Sequence, residues 1–129
     1  MSSRADITPL ILDVWAFFDA LSDLKRAQEK VDQLKTSDGQ VHKVEAVFDD
    51  GAGRKAGLQK TDKGYKIVTD CAGLSPAQKK TQTQSIQQIV QRYAYKKVVA
   101  QLQKDGYSVA EEQKQGDGSI KVVARKWSA

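Results

Sequence analysis

From Val14 to Leu24 the apolar side chains Val14, Phe17, Phe18, Leu21 and Leu24 recur every three or four residues, the spacing of one helical face. Asp13 stands just before the first turn, where a carboxylate accepts from otherwise unpaired amides, so the pattern predicts a capped amphipathic helix. Ala27, Val31 and Leu34 keep the spacing and carry the predicted helix to about Lys35, before Thr36-Ser37-Asp38-Gly39 stops it. From Val41 to Phe48 the period changes to two, with Val44, Ala46 and Phe48 on the more apolar side, which predicts a half-buried strand. Lys55 to Gln59 and Tyr65 to Thr69 flank the turn Thr61-Asp62-Lys63-Gly64 as a hairpin, with Tyr65 and Ile67 sharing a face.

Ser75 and Pro76 open a second, long helix that the pattern extends to about Lys104. Its row Ile86, Val90, Ala94, Val98 and Leu102, flanked by Ile89 and Tyr93, is expected to lie on a sheet. Ala77 to Gln84 is polar enough to predict a frayed or loop-like start. Gly106 ends the helix, and Tyr107 to Gln113 and Ser119 to Trp127 form a last hairpin through Gly116-Asp117-Gly118. Near the amino terminus Thr8-Pro9 reads as a cap and first helical residue, while Ile7 to Leu12 reads equally as a short edge strand, and pattern alone leaves both open. The order is strand-helix-strand-strand-strand-helix-strand-strand. At 129 residues this predicts a single α+β domain, a mainly antiparallel sheet with two helices on one face, the simplest packing that buries both stripes. Leu21, Ile67, Ile86, Val90, Val98 and Val122 are the expected core.

Composition narrows the chemistry. The apolar fraction is 40%, yet no run approaches the roughly eighteen apolar residues needed to span a bilayer. The opening Met1-Ser2-Ser3-Arg4-Ala5-Asp6 lacks the form of a secretory signal, so a cytosolic or equivalent compartment is expected. A single cysteine, Cys71, and a single histidine, His42, supply neither a disulfide nor a zinc set, and no metal or cofactor is expected. Asp70 beside Cys71 disfavours a thiolate nucleophile, so Cys71 reads as a small residue at a strand end. His42 reads as a surface residue.

Enzymatic motifs are missing. Gly51-Ala52-Gly53-Arg54-Lys55 is the nearest approach to a phosphate cradle, but no helix follows to receive a phosphate, and it reads as a basic turn. The pairs Asp49-Asp50 and Glu111-Glu112 each point to opposite sides of a strand and read as solvated strand edges. A non-enzymatic binding domain is the expectation.

Charge then distinguishes two kinds of partner. The net charge is +5, and from Cys71 to Lys104 there is no acid, whereas Lys79, Lys80, Arg92, Lys96 and Lys97 form a candidate face for RNA or DNA. The bland alternative is a solvated helix side, with Lys96, Lys97 and Lys104 toward the negative end of the helix dipole. A protein partner is the leading expectation, self-association included, met by Arg125, Lys126 and Trp127 at the last strand, where Trp127 reads equally as an apolar anchor and as a terminal aromatic folded back over the sheet to close the core. Trp15 and Tyr93 are expected in the core.

Several stretches carry a family resemblance: Ile11-x-Asp13, Ala20-Leu21-x-Asp23-Leu24, Gly39-Gln40, Gly64-Tyr65-x-Ile67-Val68-x-Asp70, Gln91-Arg92-Tyr93-Ala94-Tyr95, Asp117-Gly118-Ser119-Ile120 and Val122 to Trp127. With these the chain resembles the small proteins of cyanobacteria and algal plastids called hypothetical chloroplast reading frame thirty-five, a domain of unknown function. The resemblance runs through nearly the whole chain. It implies a strand at Ile7 to Leu12, a plastid stroma for plastid-encoded members, and an accessory role beside an AAA-type ATPase. It brings no active site. The charged run Lys25 to Lys35 departs from the family, whose members pass sooner into an extended segment, and this leaves the length of the first helix open.

Overall fold

A computed structural model describes residues 10–114 and 120–126, the last two strands by their backbone. Ile11 makes a two-way backbone bridge with Tyr65, and the helix α1 follows from Val14 to Asp23. The Asp13 carboxylate accepts from the Ala16 amide at 3.1 Å and caps α1 as expected. Ile11 is the only residue of the expected first strand that pairs among those described.

The first helix is much shorter than its periodicity suggests. Lys25 takes a positive φ of 56°, and the amides of Lys25 and Arg26 donate to the carbonyls of Ser22 and Leu21 at 3.0 and 2.8 Å. This double closure usually recruits glycine. Here a lysine occupies the left-handed position, so the stop has no glycine to mark it. The charged run after it forms two short strands instead, β1 (Gln28–Glu29) and β2 (Gln33–Lys35).

The expected strand from Val41 to Phe48 is split into β3 (Val41–Lys43) and β4 (Ala46–Asp49). The break is a change of partner. The Val44 amide donates to Asp32 across the β2–β3 ribbon, and the next amide, that of Glu45, donates to Leu58 of β5 (Lys55–Thr61). With β6 (Gly64–Val68), the main sheet has the order β1-β4-β5-β6, antiparallel throughout.

The long helix α2 spans Pro76–Lys104, and its polar start is ordered. Ser75 and Gln78 cap it reciprocally, each side chain accepting from the other's backbone amide. Its buried stripe is Gln82, Ile86, Ile89 and Tyr93, whereas Val98 is 48% exposed and Ala94 is also exposed. A row at strict spacing four drifts around a helix of 3.6 residues per turn, which carries Val98 out of the expected core. Beyond α2, β7 (Tyr107–Lys114) and β8 (Ile120–Lys126) pair as a separate ribbon with a bulge between Val109 and Glu111. The α+β class with antiparallel pairing stands, distributed among the described residues over three sheets rather than one.

Both faces of the main sheet are covered. On one, Phe48, Ala56 and Leu58 meet Phe17, Ala20 and Leu21 of α1 and Ile86, Ile89 and Tyr93 of α2, with Ile67 and Val90 packed at the margin. On the other, Leu34 of the β2–β3 ribbon packs with Val44, Val47 and Val68. Gly57 permits this second contact, because a Cβ there would lie 2.7 Å from Val44 Cγ1. Of the expected core, Leu21 and Ile86 are buried; the burial of Val122 lies outside the described residues.

Candidate functional site

The basic side of α2 is turned largely toward α1. Arg92 Nε and Lys96 Nζ both lie 2.7 Å from Asp23 Oδ2 at the end of α1, and Lys97 Nζ lies 3.6 Å from Asp13 at its start. The Lys96 hydrogen bond, followed by that of Arg92 and the positive charge of both, holds the Asp23 carboxyl below its ordinary value against a partial desolvation. Arg92 also lies over the Tyr95 ring, 4.6 Å from its centroid. These three bases thus answer acids of α1 rather than forming an open row. Lys79 is half-buried and Lys80 exposed, and at 1.5 Å per residue Lys80 stands about 18 Å along the helix from Arg92.

The turn that faintly suggested a phosphate cradle is closed by its own carboxylates. Asp49 accepts from the Gly51 amide, and Asp50 accepts from the amides of Ala52 and Arg54 at 2.7 and 3.0 Å. Asp50 is fully buried, which corrects the expectation of a solvated edge. Its second oxygen accepts from Gln82 Nε2 at 3.1 Å, and the same nitrogen donates to the Asp70 carbonyl at 2.8 Å. Arg54 binds the Asp70 carboxylate at 3.1 Å and the Ala72 carbonyl at 2.6 Å, while Ser37 donates to Asp70 through its amide and hydroxyl. This knot joins the β4–β5 turn, the end of β6, the β2–β3 turn and α2. It is a structural network in which the Asp50 and Asp70 carboxylates are taken up by donors of the protein itself.

His42 is half-buried with Nε2 3.4 Å from Thr36 Oγ1, and Thr36 also bonds Asp38, holding that carboxyl below its ordinary value. Cys71 is half-buried beside the Asp70 knot. Among the described residues no three His, Cys, Asp or Glu side chains group as metal ligands, and no helix is long and apolar enough to cross a membrane. An open depression of about 280 Å³ beside Phe48 includes Glu29 and Lys55, which pair with each other at 2.8 Å.

The unexpected feature is the outward side of α1. Trp15 is 69% exposed and Leu12 70% exposed, with Leu10 beside them at 41%. Trp15 was expected in the core. It stands in the first turn of α1 on the side opposite Phe17, and its ring meets that of Phe18 edge-on, with centroids 6.1 Å apart. Tyr93 anchors this segment from below, its buried hydroxyl accepting from the amides of Leu12 and Asp13 at 3.1 and 3.2 Å. The amphipathic stripe of α1 was legible in the sequence, but its apolar residues outnumber those that fit under it. Of the other candidate surface, Arg125 and Lys126 stand on β8 opposite Ser108 and Tyr107, and Trp127 lies outside the described residues.

The description "Protein of unknown function (DUF1257)" matches residues 20–123. The chain belongs to this family. It is also 26% identical, over 133 residues covering 99% of each chain, to the uncharacterized protein ycf35 of Pyropia yezoensis. This bears out the resemblance read from the sequence. No solved structure matches the chain.

Proposed function

We propose that this chain is a non-enzymatic accessory domain that binds a protein partner through the outward start of α1. The observation that carries the reading is Trp15, 69% exposed beside an equally exposed Leu12. Tryptophan buries more apolar area than almost any other side chain and is the type most enriched at interface hot spots. The backbone on either side of it is held, the Asp13 amide by the Tyr93 hydroxyl and the Ala16 amide by the Asp13 cap, so the anchor is presented on a fixed element and binding need not order a loop. An AAA-type ATPase, the partner implied by the resemblance, is a partner of this kind.

The competing reading, RNA or DNA along α2, is weakened by the pairing of Arg92, Lys96 and Lys97 with Asp23 and Asp13. Counterion release makes nucleic-acid affinity fall by roughly one power of ten per decade of salt for each phosphate neutralised. An interface with an apolar centre is much less sensitive. Affinity capture from native lysate, with and without nuclease and at low and high salt, separates them. The proposal expects captured protein to survive nuclease and salt; loss of all captured material on nuclease treatment would reverse it.

A further inference from the structure

The three acids of the α1 region divide. Asp13 and Asp23 pair with bases of α2, whereas Asp19 is exposed and has no ion-pair partner among the described residues. Asp19 follows Trp15 by four residues and shares its side of the helix. The outward face of α1 is therefore an apolar pair, Leu12 and Trp15, with one acid a helical turn away.

A surface of the opposite character lies across the sheet. In the β2–β3 ribbon Leu34 points inward, and the register sets Lys35 opposite Val41 and Gln33 opposite Lys43, all four on the outer side and exposed. Val41 is 57% exposed. Lys35 and Lys43 have no ion-pair partner among the described residues. The ribbon thus shows an apolar residue between two bases, on the sheet face away from the helices.

From this complementarity we infer that the partner of the α1 face is a second copy of this chain, docked head to tail. Leu12 and Trp15 of one copy cover Val41 of the next, and Asp19 lies between Lys35 and Lys43. The inference rests on the protein-binding reading of α1 and names its occupant. The head-to-tail contact pairs the acid of one face with the bases of the other. Because the two faces differ, each copy keeps one of each for further copies, and the assembly closes as a ring or grows as a filament.

Sedimentation velocity on the full chain tests this, in a concentration series up to about 200 µM that reaches the weak association expected of a contact under ~1,200 Å². Trp15→Glu disables only the helix face and Val41→Glu only the ribbon face, with circular dichroism confirming that both variants fold. Wild type is expected to sediment faster with concentration and each variant to stay monomeric. A one-to-one mixture of the variants is expected to form dimers and nothing larger, since one intact face remains on each. A monomeric wild type throughout, or a mixture that does not dimerise, overturns the inference. If wild type stays monomeric while Trp15 is still needed to capture another protein, the protein-binding reading stands and the second copy falls.

Discussion

The carboxamide of Gln82 donates to the fully buried Asp50 carboxylate at 3.1 Å, from a helix position that a hydropathy pattern assigns to solvent. A buried carboxylate that loses a donor retains its desolvation cost without the compensating bond. Gln82→Leu is therefore expected to lower stability by about 1–3 kcal/mol in urea denaturation, although it adds apolar character to a helix. A neutral or stabilising result would mean that Asp50 does not depend on this bond.

Asp23 gives a pH dependence of known sign. Its carboxyl sits below its ordinary value of 3.8 when folded, through Lys96 first and then Arg92, so the pairs stabilise fully above that value. Their contribution disappears as pH falls through the lower folded value. Being partly exposed, the set is expected to contribute under about 1 kcal/mol. Asp23→Asn and the double change Arg92→Gln with Lys96→Gln should each cost that amount at pH 7. Combined, they should cost no more than either, and thermal melts from pH 3 to 7 check both statements.

Lys25 offers a gain. Its φ of 56° costs a side-chain-bearing residue energy that glycine does not meet, and its closure bonds come from backbone alone. Lys25→Gly is expected to raise stability by about 0.5–1 kcal/mol in chemical denaturation, less whatever flexibility glycine adds to the unfolded chain. A loss would show that the lysine side chain contributes to the turn.

Long periodic elements were legible: α2 was read with the bounds it has, and both hairpins were read near their observed strands. What escaped were features without a local signature. The α1 stop at Lys25 lacks glycine, and the partner change at Val44 and Glu45 interrupts no alternation. Asp50 and Gln82 are polar residues buried by one another, thirty-two positions apart, which no window along the chain detects. Trp15 failed for the opposite reason. It was expected inside because aromatic side chains usually are, yet its position lies off the stripe, and the space under α1 is filled by Phe17, Ala20 and Leu21.

The central claim is that the α1 face, and not the basic side of α2, holds the partner. Quantitative capture from native lysate by wild type, Trp15→Ala and the Arg92→Gln, Lys96→Gln double variant compares the two surfaces directly. An exposed position predicts that Trp15→Ala keeps its stability within about 1 kcal/mol. The account predicts that this variant loses captured protein by tenfold or more, about 1.4 kcal/mol of binding, while the double variant retains it. Equal capture by Trp15→Ala and wild type, with loss confined to the double variant, would contradict it.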